Sequence, residues 1–270
     1  MNIGLSTASF YPQSTENTVN ILKQLGVKKA EVFLEAQSES RPKFYKPLKK
    51  AFDEAGTKIV SVHGFVAMYE PFLFSEYKRR AEDAFYEFEK IAEAGACLGA
   101  KYYTFHGNRL EYYKPGFDFK EYAKVFTRLC RTAKAHGLIL AWENVSWCQS
   151  ASIEFLSETA KLVDPSLYGY TLDLKQARRA GISYETYLEL MGSRLLNIHI
   201  SDYNANSSCI LPGRGDFDFK ELFARLDSIN YKGDLITEVY SDCYSHVSEV
   251  KASLDYLEEI KNEYENTKGA

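Results

Sequence analysis

Hydrophobic and polar positions alternate between two textures eight times along the chain. Short runs rich in Val, Ile, Leu, Tyr and Phe fall at Ile3–Ser6, Lys29–Leu34, Lys58–His63, Lys101–His106, Leu138–Glu143, Gly169–Asp173, Leu195–His199 and Leu235–Glu238. They are mostly continuous rather than alternating, which is the pattern of a parallel strand covered on both faces. Between them lie segments with apolar residues at helical spacing. Thr15–Leu25 sets Val19, Leu22 and Leu25 on one face and stops at Gly26. Further helices are predicted over Lys46–Ala55, Ser75–Leu98, Phe119–His136, Ile153–Leu162, Tyr184–Met191, Phe219–Ile229 and Val247–Tyr264. A glycine behind most of them supplies the left-handed residue that ends a helix and turns the chain into the next strand.

Eight βα units without a break in composition predict one α/β domain over residues 1–270, a single (β/α)8 TIM barrel rather than two smaller domains. The length of 270 residues is near the usual size of that barrel. The longest irregular connections, Gly64–Phe74, Gly107–Gly116, Val145–Ala151 and Ile200–Asp218, all follow strands. In a barrel, the loops after the strands surround the active site. The tail Asn266–Ala270 is expected to fray.

Composition narrows the class. Hydrophobic residues make up 45% of the chain and charged residues 26%, as in a soluble protein with a sizeable core. The net charge of −4 lacks the basic footprint of a nucleic-acid binder. No apolar stretch approaches the ~18 residues of a membrane span, and no basic, then apolar leader opens the chain. The five cysteines are odd in number and form no C-x-x-C pair. Reduced thiols in a cytoplasmic protein are expected.

Candidate chemistry lies at the strand ends. Glu143, Asp173, His199 and Glu238 each close one of four successive strand-like runs. Alone, each would read as a helix cap or an ion-pair partner. Together, on neighbouring strands ~4.8 Å apart, three carboxylates and an imidazole describe a divalent-metal site. The oxygen-rich set suits Mn²⁺, Mg²⁺ or Co²⁺ better than a structural zinc. His63 and His106 end the third and fourth runs, each followed by Gly, and are candidates for substrate contact, base or second-metal roles. Lys175 and Gln176 follow Asp173, and Arg214 stands between two glycines in Leu-Pro-Gly-Arg-Gly-Asp, where it could grip a hydroxyl or phosphate. Trp147 and Phe65 could stack on a sugar face, whereas Trp142 reads as core. His136 reads as a helix-end charge partner and His246 as surface.

Seven pieces carry a resemblance: Ser61-Val-His63-Gly, Phe105-His106-Gly, Trp142-Glu143-Asn144, Leu172-Asp173-Leu-Lys-Gln176, Ile198-His199-Ile-Ser-Asp202, Leu211-Pro-Gly-Arg-Gly-Asp216 and Thr237-Glu238-Val-Tyr240. Over nearly the whole chain the sequence resembles the xylose-isomerase-like barrel superfamily. Within it, the chain is similar to the sugar phosphate isomerase/epimerase branch, which also holds the family-2 apurinic endonucleases. The resemblance to the ketose epimerases of this branch implies one divalent ion, Mn²⁺ first with Mg²⁺, Co²⁺ or Zn²⁺ as alternatives, on Glu143, Asp173, His199 and Glu238. It also implies Glu143 and Glu238 as acid and base on opposite faces of a sugar, with proton transfer through a metal-stabilised cis-enediolate. The endonucleases need a His where Gln176 stands, and an Asp and a His where this chain has Ser207-Ser-Cys209. Three metals are therefore not expected. The ketose epimerases usually carry a His at the Gln176 position too, which leaves the substrate open.

The expectation is a metal-dependent isomerase or epimerase of a sugar, sugar phosphate or cyclitol, with a sugar or inosose dehydratase as the alternative. An endonuclease-type phosphodiesterase and a non-catalytic sugar-binding barrel rank below these. The expected partner is a small sugar-like molecule, with no nucleic acid and no membrane; association into a homo-oligomer stays open.

Overall fold

Each of the eight apolar runs becomes a strand, and each strand lies parallel to the one before it. A computed structural model of the protein describes residues 1–65 and 69–268. The expected loop Gly64–Phe74 and the tail Asn266–Ala270 fall partly outside the described residues. The strands are β1 Ile3–Ser6, β2 Lys29–Phe33, β3 Lys58–His63, β4 Tyr102–Phe105, β5 Ile139–Glu143, β6 Tyr168–Asp173, β7 Leu195–Ile200 and β8 Asp234–Thr237. They close in chain order into a barrel. The ring is sealed by β1 on β8, with Ile3 opposite Leu235 and Leu5 opposite Thr237. The helices are α1 Thr15–Gln24, α2 Pro42–Ala55, α3 Lys78–Leu98, α4 Phe119–Ala135, α5 Ile153–Ala160, α6 Leu174–Ala180, α7 Tyr184–Met191, α8 Phe219–Ser228 and α9 Val247–Lys268.

The local chemistry explains these boundaries. Asp118, Ser152, Ser183 and Asp218 each accept a hydrogen bond from the amide three residues on, which satisfies an orphan donor of α4, α5, α7 and α8. Gly56 (φ 71°) and Gly99 (φ 85°) end α2 and α3 in the left-handed conformation. Two elements differ from the sequence expectation. α2 begins at Pro42 rather than Lys46, because a proline at the first helical position has no intrahelical N–H to lose. Pro47 lies inside it. α6 is an addition, too short at seven residues to present a helical period.

The main apolar core lies between barrel and helices. Phe126 of α4 packs on Trp142 of β5 with ring centroids 4.5 Å apart, and Trp142 is fully buried, as its strand position implies. Inside the barrel the filling is partly polar. Glu31, Ser61, Thr104 and Asn197 are all fully buried there on β2, β3, β4 and β7. Among the described residues, no helix is long and apolar enough to cross a membrane.

Candidate metal centre and active site

The four strand-end ligand candidates converge. Asp173 and His199 are register partners across β6 and β7. His199 Nδ1 lies 2.8 Å from Glu238 Oε2, 3.2 Å from Glu143 Oε1 and 3.7 Å from Asp173 Oδ2. One donor atom from each of the four falls within 4.8 Å of the others. Glu143, Asp173 and His199 are buried, and Glu238, just past the end of β8, is 13% exposed at its side chain.

Asp173 shows how one residue serves two purposes. Its Oδ1 accepts from the Gln176 amide and caps α6. Its Oδ2 is buried and accepts no well-formed hydrogen bond among the described residues, although the Lys175 ammonium stands 3.1 Å away. The Asn144 side chain clamps the Asp173 peptide from both sides, accepting from its N–H at 2.7 Å and donating to its C=O at 3.1 Å. The carboxylate is thereby fixed in direction.

Carboxylates and cationic groups are tightly interleaved here. Burial opposes the charged form of His199, yet Glu31, Glu238 and Glu143 overcome it and hold the ring well above the usual histidine range. Burial likewise opposes ionisation of Glu143, but His106 and His199 pull it well below the usual carboxylate range. Glu238 is drawn down against burial by Lys175 and His199. Burial works against the Lys175 ammonium, and Asp173 and Glu238 raise it well above the usual lysine range. Three carboxylates and one imidazole converging from four neighbouring strands fit a divalent cation.

His63 and His106 form the neighbouring group. His63 Nε2 is 2.8 Å from His106 Nε2, and His106 Nε2 is 2.9 Å from Glu143 Oε2. Burial disfavours the imidazolium of His63, but Glu143 and Glu31 lift it to about 9. His106 is pushed down by burial and by the charge of His63. These three residues also make a second cluster of metal-ligand type.

The remaining candidates separate. Gln176 is buried, and its amide oxygen accepts from the Ser146 N–H and hydroxyl. Trp147 is 43% exposed, with its ring edge-on to His106 at 5.5 Å. Phe65 is buried against Tyr69. Arg214 is not brought to the cluster: its guanidinium pairs with Glu249 of α9 at 2.7 Å. His136 ends α4 with its ring 3.8 Å from Glu89, and His246 is exposed.

Two buried carboxylates escaped the sequence reading. Glu31 Oε2 lies 3.1 Å from His199 Nε2, on the side of the ring away from the cluster. It also accepts from Ser61 Oγ at 2.6 Å and Thr104 Oγ1 at 2.8 Å. Such a partner fixes the tautomer and orientation of a metal-binding imidazole. A charged residue in the middle of Lys-Ala-Glu-Val-Phe was the available signal. Glu70 Oε2 accepts from the His106 and Gly107 amides at 3.0 and 2.9 Å, positioning the turn that carries His106. It opens the five-residue 3-10 helix Glu70–Phe74, too short to show a period in the sequence.

Comparison with known proteins bears on the fold and the family. A curated relative, the inosose dehydratase of Clostridium perfringens, is 24% identical over 232 residues, 74% of this chain and 75% of its own. The crystal structure of a D-tagatose 3-epimerase-like protein superposes with TM-score 0.84 over all of both chains at 19% identity. The IolI protein, with a bound zinc atom, superposes with TM-score 0.74 over 98% of both chains at 15% identity. At these identities the structures establish a shared fold. The family model described as xylose isomerase-like TIM barrel matches residues 19–260, from α1 into α9. Eight parallel strands closed in order and a match over nearly the whole length lead to one conclusion: this chain belongs to the xylose isomerase-like TIM barrel family.

Proposed function

We propose that residues 1–270 form one domain that is a divalent-metal-dependent isomerase or epimerase of a sugar or sugar-like cyclitol. The observation that carries the reading is the convergence of Glu143, Asp173, His199 and Glu238, with one donor atom of each within 4.8 Å of the others. Those four residues would hold the cation, which would supply Lewis-acid polarisation of a carbonyl and the hydroxyl beside it. Mn²⁺ suits the oxygen-rich set first, with Mg²⁺, Co²⁺ and Zn²⁺ as alternatives.

Glu143 and Glu238 are the proton carriers in this reading. One removes the proton from the carbon next to the carbonyl, and the other returns a proton to the resulting enediolate. Epimerisation needs the return on the opposite face, and two carboxylates from different strands permit that. The Lys175 ammonium, 3.5 Å from Glu238 Oε2, stands ready to donate to a substrate oxygen. His63 and His106 flank Glu143 and would hold substrate hydroxyls. Gln176 lines the same rim, and Arg214 would take part only on leaving Glu249.

A second reading, dehydration of a keto-cyclitol, draws on the relative named inosose dehydratase. It begins with the same proton removal and ends in loss of water instead of reprotonation. One experiment separates them. The metal-loaded protein is incubated with ketoses and inososes in deuterated water. Deuterium at the carbon next to the carbonyl in a product that has kept all its oxygens supports isomerisation or epimerisation, and loss of one water supports the dehydratase. Glu143→Gln and Glu238→Gln are each expected to lower turnover at least about 100-fold. Near-full activity in both would remove the proposed proton carriers.

A further inference from the structure

Two thiols outside the ligand cluster meet at the rim. Cys209, 4% exposed, lies in the loop after β7, and Cys243 closes the 3-10 turn Ser241–Cys243 after β8. Their sulfurs are 4.0 Å apart, and Cys243 Sγ is 3.4 Å from the Cys209 carbonyl. Cys209 is held by its surroundings: the adjoining Ile210 pairs with Asp202 through two backbone bonds, and Ser207 Oγ donates to the Cys209 carbonyl. Cys243 is partly exposed. A disulfide needs its sulfurs about 2.05 Å apart, so the two sulfurs have about 2 Å to close.

We propose that Cys209 and Cys243 are a reversible disulfide site that responds to hydroperoxides. The two thiols are electronically unlike. The contact with the Cys209 sulfur draws Cys243 down to about 7, while the same contact, with burial, pushes Cys209 far up. Cys243 is thus the nucleophile and Cys209 the resolving thiol. The Cys243 thiolate attacks hydrogen peroxide, the O–O bond breaks, and a sulfenic acid forms with release of hydroxide. Cys209 sulfur then attacks the Cys243 sulfur. The S–O bond breaks, and the departing hydroxide takes the Cys209 proton and leaves as water. Two thiols and one peroxide yield one disulfide and two waters.

The bond would fasten the turn that follows Tyr240, whose ring lies 5.2 Å from Lys175 Nζ. It would therefore hold the β7 and β8 loops together beside the candidate site. The assignment does not depend on the reaction catalysed there. By contrast, Cys130 and Cys148 are fully buried with their thiols pushed far up by burial.

The test is alkylation and peptide mapping of the purified full chain after a small excess of hydrogen peroxide. The expected result is loss of two of the five thiols, a cross-linked peptide pair containing Cys209 and Cys243, and recovery with dithiothreitol. The Cys209→Ser variant should accumulate a dimedone-reactive sulfenic acid at Cys243 with unchanged metal content. Cys209 and Cys243 both remaining alkylatable after peroxide, or a cross-link joining other cysteines, would overturn the assignment.

Discussion

Glu31 contacts the His199 ring and Glu70 the His106 amide, and each can be tested by one substitution. Glu31 is tied to His199, Ser61 and Thr104 at once. Glu31→Ala should weaken metal binding about 10- to 100-fold by titration calorimetry, since the imidazole loses its orienting partner. It should also cost about 3 kcal/mol of stability, because a buried ion pair is broken on one side. Unchanged metal affinity would show that Glu31 only packs. Glu70 presents the opposite electrostatics. Burial raises its carboxyl from 4.5 to about 8, more than the His106 and Gly107 amides can offset. Between those values the folded chain holds a proton that the unfolded chain has released. Stability from this group therefore falls as pH rises from 4.5 to about 8 and is level above. Glu70→Gln keeps an amide-accepting oxygen without the titration. The loss of melting temperature between about pH 5 and about pH 8 should be smaller in that variant, and an identical slope would remove Glu70 as its source. Neither glutamate was found by reading strand ends, because Glu31 lies mid-strand and Glu70 opens a short 3-10 helix.

At the scale of elements, the Gly-rich loop after β7 has a different physical meaning from the one its sequence invites. Pro212-Gly-Arg-Gly reads as a flap that closes on a ligand. In the fold it wraps the Asp202 carboxylate, which accepts from the Tyr203, Gly213, Gly215 and Phe217 amides. A side chain at Gly215 would place its Cβ 2.1 Å from the Tyr203 carbonyl oxygen. Asp202→Ala leaves four backbone donors to find new partners and should cost about 2–4 kcal/mol in denaturant unfolding, with Gly215→Ala lowering stability as well. Wild-type stability in both would make the loop independent of this carboxylate. Four ligand candidates stand at strand ends because the strand period and the apolar runs announce where each strand stops. Arg214 could not be placed the same way, since a loop has no period to say that Glu249 of α9 would be its neighbour.

For the whole molecule, a cation bound by four strands should couple site and fold. Adding Mn²⁺ at about a hundred times its dissociation constant should stabilise the chain by about 2.7 kcal/mol. Elemental analysis should find about one ion per chain on the proposed quartet, lost in Glu238→Ala. An unchanged melting temperature with and without metal would contradict a site of this kind. Periodicity alone determined eight βα units, because a strand buried on both faces must be apolar throughout and a helix on a barrel must be apolar on one side. The order of the barrel and the strand-end placement of Glu143, Asp173, His199 and Glu238 followed from that count. Only the tertiary structure decided which groups answer the ligands across the barrel: Glu31 behind His199, Lys175 beside Asp173, His106 against Glu143, Cys243 near Cys209. The physical reason is separation. Lys175 is only two residues from Asp173, but the Cys243–Cys209 and Glu31–His199 contacts join residues 34 and 168 positions apart, and a sequence pattern reports the face a residue occupies, not the partner that folding brings to it.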